Sequence, residues 1–413
     1  MARFIFTMAS SEDLGLPGRL LPIARALSGR GHDVALINSA KGPAAMIADA
    51  GLQRITLPAI SATKPPFDMQ AGARAFDVEH LLGLLYSDAP YLKALTSAYR
   101  EAFQSFRPDV VIDSFAPYSC LAASIEGLPL VQVTQGNFLA DSPGFIWWKG
   151  RRPSELPSSL AAINIVAAEQ GLPLVRRAAD ILDGNCTFVV GSPETDPLNP
   201  GANAIHVGSL GPGNIDADLP EAINVLGRGR KLVWVYTGNP RYGGAAVATP
   251  FDSKIVLHTA LEALGGTDID VVLTTGYQAV PEGVAFPQNI HFANFVSGPA
   301  MAQRCDLIIH HGGHGSVITG LSAGKPAVII PTNSERESNA RRLASIGAGE
   351  VVLPIDETAT EKSVDTAAFA DAVRRVLTDP SYTDAAQQIG SRMLRLGGAG
   401  DIIEKAEALA AAG

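Results

Sequence analysis

Cysteine and basic charge are both scarce in this sequence. Three cysteines, Cys120, Cys186 and Cys305, lie far apart among 413 residues, which leaves no disulfide framework and no zinc-ligand spacing. Lys and Arg number 32 against 41 Asp and Glu, so that the formal net charge is −9. A chain of this charge has no general attraction to nucleic acid or to anionic membrane surfaces, and we expect neither as a partner.

Long hydrophobic runs are also missing. The N-terminal run 3–8 is apolar only briefly before Glu12 and Asp13. It is too short for the apolar core of a signal peptide and for a membrane span of roughly 18 or more residues. We therefore expect a cytoplasmic protein with reduced thiols and without stable membrane insertion.

Short β-branched runs alternate instead with amphipathic helices, which predicts an α/β fold with parallel sheets. A chain of 413 residues is long enough for two such domains. The segment 211–220, rich in Gly, Pro and Asp, is the predicted linker. The predicted strands are 3–7, 33–37, 109–113, 130–134, 187–190, 231–236, 270–274, 290–293, 306–310 and 327–330.

The most informative segment is Asp306–Ser316, which reads DLIIHHGGHGS. An apolar strand runs into three glycines and then into a helix. Glycines allow a ligand to approach the backbone closely, and free N–H groups at a helix start attract an anion. His311 can donate to a phosphate oxygen, and Ser316 can add its hydroxyl. This combination points to a phosphate-binding turn, although a plain strand–helix turn is the alternative.

From this segment onward the sequence resembles the family 1 glycosyltransferases, which include UDP-glycosyltransferases and antibiotic glycosyltransferases. The resemblance covers residues 231–350, and the N-terminal half matches only in outline. The matching positions are His311–Ser316, Gly324-Lys-Pro326, Pro331, Glu335-Arg336 and Asn339-Ala340, with Arg30-Gly-His32 and Pro108–Asp113 in the first half.

The resemblance implies a GT-B architecture, in which two Rossmann-like doubly wound domains face a central cleft. Residues 1–212 would bind the acceptor and residues 213–413 the nucleotide sugar, with the last helix returning to the N-terminal domain. The implied reaction is an inverting, metal-independent transfer of a sugar from a nucleotide diphosphate to a small, apolar natural-product acceptor. The nucleotide sugar is then a co-substrate, and no cofactor is expected. The oligomeric state, including a homodimer, stays open.

The resemblance also implies which residues bind the donor. His311, Gly313 and Ser316 would hold the diphosphate, and Gly238 would approach it. Phe295 stands where the family has the aromatic residue that stacks on the nucleobase; a core position is the alternative. The full implied set is Gly238, Phe295, His311, Gly313, Gly315, Ser316, Glu335 and Arg336.

Glu335 and Arg336 occupy the positions of the family's acidic residue and Gln, which contact the transferred sugar. Arg336 places a fixed cation where the family has an amide, so the sugar could carry a carboxylate or another anionic group. The alternative is a structural helix start, with Ser334 and Glu337 as a capping box. Both interpretations can hold together.

The family's usual catalytic base is absent. Leu16 occupies the position at which the family has a His, while Asp113 matches the Asp that orients that base. We expect Asp13, in the same loop, to serve as the base beside Asp113. Two adjacent solvated acids, Glu12 and Asp13, are the alternative, as is a strand-end cap for Asp113.

Two other features bear on the acceptor side. His80 could face the acceptor, although its pattern is more typical of a surface helix. An aromatic cluster at Phe138, Phe145, Trp147 and Trp148 suits either an acceptor loop or interdomain packing. The missing base leaves two further functions open: a catalytically impaired homologue that binds nucleotide sugar as an auxiliary partner, and a sugar-nucleotide epimerase of the same architecture.

Overall fold

The computed structural model describes residues 1–9, 14–38, 41–58, 60, 62–147, 152–211, 216–238, 253–276, 283–358 and 361–413, with the side chains of 41–43 left out. The chain divides into two compact units. The first comprises Met1–Gly144, Lys149–Gly211 and Leu396–Gly413. The second comprises Phe145–Trp148 and Pro212–Arg395.

The first unit is built on a seven-stranded parallel sheet with the order β3-β2-β1-β4-β5-β6-β7. Every residue of β4 and β5 is buried, which explains the continuous apolar runs that predicted these strands. The strands are β1 (Arg3–Met8), β2 (Asp33–Ile37), β3 (Gln53–Ile55), β4 (Val110–Ser114), β5 (Leu130–Thr134), β6 (Cys186–Val190) and β7 (Ile205–Gly208).

Helices alternate with these strands and cover the sheet. Leu20, Ile23, Ala24 and Leu27 form the buried face of the first helix, at the spacing that predicted it. The helices are α1 (Gly15–Gly29), α2 (Lys41–Asp49), α3 (Met69–Ala73), α4 (Val78–Tyr86), α5 (Ala89–Phe106), α6 (Pro117–Ile125) and α7 (Leu160–Glu169), with 3₁₀ turns at Gly136–Phe138 and Ala178–Leu182.

The second unit has a six-stranded parallel sheet with the order β10-β9-β8-β11-β12-β13 and a separate two-stranded hairpin, β14-β15. The strands are β8 (Lys231–Tyr236), β9 (Ile269–Thr274), β10 (Ile290–Ala293), β11 (Leu307–His310), β12 (Ala327–Ile329), β13 (Gly349–Val351), β14 (Ile355–Asp356) and β15 (Lys362–Ser363). The helices are α8 (Glu221–Asn224), α9 (Lys254–Leu264), α10 (Gly298–Arg304), α11 (His314–Ser322), α12 (Ser334–Ser345), α13 (Thr366–Thr378) and α14 (Pro380–Met393).

The last helix, α15 (Gly398–Ala412), folds with the first unit. Its Ile402, Ile403 and Ala406 are buried. Glu407 accepts hydrogen bonds from Arg30 at 2.7 Å and pairs with the His32 ring at 3.0 Å. The two ends of the chain therefore contribute to one unit.

The expected pair of Rossmann-like domains is confirmed. All ten predicted strands are present, and none of their ends differs by more than one residue. The sequence patterns missed β3, β7, β13, β14 and β15, each of which has only two to four residues. No helix in the described part of the chain is both long and apolar enough to cross a bilayer.

Each sheet contains one point at which the strand order reverses. In the first unit β1 lies between β2 and β4, and in the second unit β8 lies between β9 and β11. Ligands of open α/β sheets bind outside the carboxyl ends of the strands at such points. Thr7 pairs there with Asp113 in the first sheet, and Tyr236 with His310 in the second.

Candidate active site

The strand–helix turn after β11 lies at the reversal point of the second sheet. His311 follows the last residue of the strand, and α11 starts at His314 without a side-chain cap. The Ser316 and Val317 N–H groups bond the Gly313 carbonyl at 3.0 and 3.2 Å. The preceding N–H groups lie before the first intrahelical hydrogen bond, as at any helix start. Gly315 is exposed, and a Cβ added to it would meet no other residue within 4 Å. This end of α11 is suited to an anion.

Two glycines border the His311 imidazole. A Cβ atom on Gly238 would lie 2.5 Å from the ring Cε1, and one on Gly313 would lie 2.8 Å from Nε2. Both distances are too short for carbon atoms that are not bonded to each other. Gly238 also has φ +73, which disfavours other residues. Glycine at both positions keeps the edge of the ring clear.

The environment of His311 keeps its imidazole neutral. Burial lowers the pKa of His311 well below its ordinary value; the nearby Arg336 charge and His310 lower it further, against a smaller opposing effect of the Tyr236 carbonyl. A neutral imidazole has one N–H donor and one acceptor nitrogen. The Nδ1 atom is buried and has no hydrogen-bond partner among the described residues. The imidazole thus has one nitrogen whose hydrogen-bonding capacity the described residues leave unused.

His310 has a structural role instead. It is fully buried, and burial lowers its pKa to about 3. Its Nδ1 accepts a hydrogen bond from the Gly312 N–H at 3.0 Å. Of the two adjacent histidines, His310 thus fixes the turn, and His311 faces the space between the glycines.

Arg336 lies in the first turn of α12 with only 6% of its surface exposed. Its Nη1 donates to the Thr332 hydroxyl at 2.6 Å. Its charge contributes to the lowered pKa of His311. Gly312, with φ +90, contacts the Arg336 backbone so closely that a Cβ would lie 2.7 Å from the Arg336 carbonyl oxygen. Arg336 is therefore held in place by the Thr332 hydroxyl and by the close packing of Gly312 on its backbone.

Asn339 connects the turn to α12, a role that the sequence patterns did not assign. Its Nδ2 donates to the Gly312 carbonyl at 3.0 Å and to Glu335 Oε1 at 2.7 Å. Glu335 is half-buried. Because one amide holds both partners, the glycine turn and the acidic side chain keep a fixed relative position.

The predicted capping box at Ser334 and Glu337 is wrong by one residue. Asn333 is the N-cap, and its Oδ1 accepts from the Arg336 N–H at 2.9 Å. Ser334 is instead the first helical residue, and Glu337 bonds Arg341 at 2.9 Å. Asn333 has the extended backbone of an N-cap, φ −148 and ψ 173, which brings its side chain to the third helical N–H.

Phe295 follows β10 and exposes 45% of its surface. The alternative that it is a core residue is therefore wrong. An exposed aromatic ring can stack on a nucleobase, and this assignment stays a prediction. Ser316 is half-buried in the first turn of α11, within the same turn as the glycines.

The carboxyl group of Asp113 is fully buried at the end of β4. Its Oδ2 accepts from the Thr7 hydroxyl at 2.6 Å and its Oδ1 from the Ala116 N–H at 3.0 Å. Ser119 in turn donates to Thr7 Oγ1 at 2.7 Å. Burial raises the pKa of Asp113 to about 7, against the opposing effect of these hydrogen bonds. Asp113 thus caps the strand–helix turn, and its role beside a catalytic base stays a prediction.

The turn that Asp113 caps is strained. Phe115 has φ +64, a left-handed conformation that costs a residue of this type about 1–3 kcal/mol. Its ring stacks on that of Phe138, with centroids 4.2 Å apart. Strain of this kind is concentrated at functional sites.

Arg19 is a second residue that the sequence patterns did not single out. It lies in the second turn of α1 and exposes 9% of its surface. Its Nη1 donates to Ser114 Oγ at 3.1 Å and its Nη2 to Gln135 Oε1 at 3.3 Å. The sequence signal that could have identified Arg19 is its position next to the apolar face of α1, one turn after Leu16.

Of the other residues that the sequence analysis proposed for the acceptor side, the structure describes only some. Glu12, Asp13 and Trp148 lie outside the described residues. His80 is buried in α4, so the surface-helix interpretation is wrong; its Nδ1 accepts from the Phe76 N–H at 3.4 Å. Burial lowers the pKa of His80; the Asp77 charge opposes this shift, and the Arg152 charge adds to it.

The aromatic cluster is divided between the units. Phe138 belongs to the first unit, whereas Phe145–Trp148 belongs to the second. The Ile146 N–H donates to the Ser338 hydroxyl of α12 at 2.9 Å. The segment that was expected to cover an acceptor is therefore bonded to the helix that carries Arg336 and Asn339.

Comparisons with known proteins show a similarity to antibiotic glycosyltransferases. Residues 258–409 match the family described as "Erythromycin biosynthesis protein CIII-like, C-terminal domain". The 3-alpha-mycarosylerythronolide B desosaminyl transferase of Saccharopolyspora erythraea is 31% identical over 159 residues, which are 38% of this chain and 36% of that protein. The match spans only about a third of the length of such curated relatives.

Two longer matches cover nearly the whole chain. Elloramycin glycosyltransferase ElmGT of Streptomyces olivaceus is 24% identical over 385 residues, 90% of this chain and 92% of that protein. The crystal structure of glycosyltransferase VinC in complex with dTDP superposes with a TM-score of 0.68 at 20% identity and covers all of both chains. The chain thus has the GT-B fold of these glycosyltransferases, and its residues 258–409 are similar to the CIII-like C-terminal domain.

Proposed function

We propose that this protein is an inverting, metal-independent glycosyltransferase that moves a sugar from a nucleotide diphosphate to a small natural-product acceptor. The observation that carries the proposal is the neutral His311 imidazole, its edge kept clear by Gly238 and Gly313 next to the uncapped start of α11. These groups suit a diphosphate at the reversal point of a Rossmann-like sheet.

The donor site acts mainly on the leaving diphosphate. Negative charge develops on it as the bond to the anomeric carbon breaks. His311, Ser316 and the first N–H groups of α11 can donate hydrogen bonds to that charge from fixed positions. Because protein groups meet the charge, we propose that no metal ion or cofactor is needed. The family's known members support a donor with a nucleotide diphosphate, and VinC was crystallised with dTDP.

The sugar would lie near Arg336 and Glu335. The Asn339 amide fixes Glu335, and Thr332 and Gly312 fix Arg336. A buried guanidinium favours a donor sugar with a carboxylate or another anionic group, whereas Glu335 can accept from hydroxyls. Phe295 provides an exposed ring for the nucleobase.

The residue that acts as the base decides between this function and a second candidate. Asp13 is our proposed base, since Leu16 cannot accept a proton and Asp113 is enclosed in hydrogen bonds. If no base acts, the protein is an auxiliary homologue that binds nucleotide sugar without transferring it.

Asp13→Asn should lower turnover roughly 100–10,000-fold with unchanged nucleotide affinity, the range for a positioned base. Full activity in this variant would exclude Asp13.

The proposal is tested with the purified full-length chain. Thymidine diphosphate binding is measured by calorimetry, and transfer or hydrolysis of a set of nucleotide sugars is followed by product release. We expect His311→Ala to lower kcat about 100–1000-fold, because it removes a donor to the developing charge. His258→Ala, an exposed His on α9, is the matched control. Absence of nucleotide binding by the parent protein, or full turnover by His311→Ala, would overturn the proposal.

A further inference from the structure

The Asn339 side chain bonds two groups of the donor site at once. It is buried in the second turn of α12. Its Nδ2 donates to the Gly312 carbonyl at 3.0 Å and to the Glu335 carboxylate at 2.7 Å. Both partners can only accept, so each takes one of the two hydrogens of the amide. One side chain therefore fixes a backbone group of the turn and an acidic side chain of the helix.

The Gly312 carbonyl belongs to the peptide between Gly312 and Gly313. This peptide is trans and planar, so its C=O and its N–H point in opposite directions. Because the carbonyl points to Asn339, the Gly313 N–H points away from Asn339. That N–H precedes the first intrahelical hydrogen bond of α11, at the helix start that is suited to an anion. The Asn339 amide thus sets the direction of an N–H donor in the donor site.

This peptide needs a partner to keep its orientation. A peptide between two glycines rotates easily, because neither neighbour has a Cβ that restricts its dihedral angles. The preceding peptide is already held, since the Gly312 N–H donates to His310 Nδ1 at 3.0 Å. Among the described residues, Asn339 is the hydrogen-bond partner of the Gly312 carbonyl. Loss of Asn339 therefore leaves the second peptide of the turn able to rotate.

We propose that Asn339 is a positioning residue that aligns both halves of the donor. It holds the Gly313 N–H in the direction of the diphosphate and the Glu335 carboxylate in the direction of the transferred sugar. This inference rests on the proposed transferase function and adds to it a link between the two halves of the same site. Asn339 acts on the diphosphate through the glycine turn and on the sugar through Glu335.

The diphosphate half is tested by calorimetry with thymidine diphosphate, which carries no sugar. Asn339→Leu keeps a similar shape but has no hydrogen-bond donor. Asn339→Ala is measured beside it, because alanine favours the helix and adds no bulk if the leucine variant does not fold. We expect both variants to bind thymidine diphosphate at least about tenfold more weakly than the parent, the loss typical of one hydrogen bond to a charged group.

Asn289→Leu is the matched control in the same unit. Asn289 is also buried, and its Nδ2 also donates to two acceptors, the carbonyls of Leu264 and Ile269, at 2.8 and 2.9 Å. This variant should lower the free energy of unfolding, because buried carbonyls lose a donor. It should bind thymidine diphosphate like the parent, so that a loss of stability is separated from a loss of positioning.

The sugar half is tested by the ratio of the dissociation constant of thymidine diphosphate to that of thymidine diphosphate glucose. We expect Asn339→Leu to lower this ratio about tenfold in the parent, since Glu335 loses its fixed position. In the Glu335→Ala background the same change should leave the ratio as it is, because Asn339 acts on the sugar through Glu335 alone.

Three results would overturn the assignment: unchanged affinity for thymidine diphosphate in a folded Asn339 variant, an equal loss of that affinity in Asn289→Leu, or the same fall of the ratio with and without Glu335. Binding of thymidine diphosphate by the parent protein tests the proposed function itself. Failure of this inference is therefore distinguishable from failure of the proposed function.

Discussion

At the scale of single residues, charge and burial together decide which side chains can meet a ligand. His310 and His311 are neighbours in sequence, yet His310 accepts the Gly312 N–H and fixes the turn, whereas two glycines, Gly238 and Gly313, lie against the His311 ring. Asp113 and Arg19 are both nearly or fully buried, but hydrogen bonds enclose the Asp113 carboxyl from several sides. Chemistry-bearing residues in a sequence are thus only candidates until their partners are known.

Arg336 carries a prediction about donor choice. Arg336→Gln removes the cation and restores the residue that the family usually has. A hydrogen bond to a charged group contributes about 1.5–3 kcal/mol. We therefore expect the ratio of kcat/KM for a uronic-acid donor to that for the matching neutral hexose donor to fall at least tenfold. Arg374→Gln, on the exposed side of α13, serves as the control. An unchanged ratio would leave Arg336 with a purely structural role.

Asp113 predicts a pH dependence of stability. Its folded pKa of about 7 lies above the ordinary value of 3.8, so the folded state binds the proton more tightly than the unfolded state. The free energy of unfolding should therefore fall as the pH rises from about 4 to 7, and a shift of three units corresponds to roughly 4 kcal/mol. Urea unfolding of the parent and of Asp113→Asn, from pH 4.5 to 8, checks this. A difference between the two that is independent of pH would contradict it.

At the scale of elements, the site depends on how one turn and one helix are joined. The β11–α11 turn is shaped by Gly312 and Gly313, where a Cβ would collide with Arg336 and His311, and Asn339 joins the turn to α12. The start of α12 matters equally, since Arg336 lies in its first turn. A cap at this point therefore supports both helix stability and the position of the cation.

The cap of α12 gives a prediction with a built-in control. Asn333→Ala removes the side chain that accepts from the Arg336 N–H and should lower the free energy of unfolding by about 0.5–2 kcal/mol. Ser334→Ala, one residue later, should cost clearly less, since its buried Oγ has no partner among the described residues. Chemical denaturation of the two variants compares them directly. The reverse order would restore Ser334 as the N-cap.

At the scale of the whole molecule, each of the two units is built from segments that are not continuous in sequence. Residues 396–413 complete the first unit, whereas Phe145–Trp148 joins the second. As a result the two tryptophans among the described residues, Trp147 and Trp234, belong to the second unit. The fluorescence of these two residues therefore reports on that unit, while circular dichroism reports on both.

This distribution allows a test of the C-terminal helix. Ile402 of α15 is fully buried in the first unit, and Ile402→Ala should destabilise that unit by about 2–5 kcal/mol. On heating, circular dichroism should change before tryptophan fluorescence does. Glu404→Ala, on the exposed side of the same helix, should leave both transitions in place. Simultaneous loss of both signals in Ile402→Ala would contradict the assignment of α15 to the first unit alone.

The sequence by itself determined the two Rossmann-like sheets, because apolar runs and helix periodicity are local patterns. It also determined the candidate turn at 310–316, whose glycines and His311 are contiguous. Only the tertiary structure decided the partners of those residues: Asn333 rather than Ser334 as the cap, Asn339 as the link to Gly312, and Arg19 beside Ser114 and Gln135. The contacts of Asn339 and Arg19 join residues that are separated in sequence by 27 to 116 positions, so no local pattern encodes them.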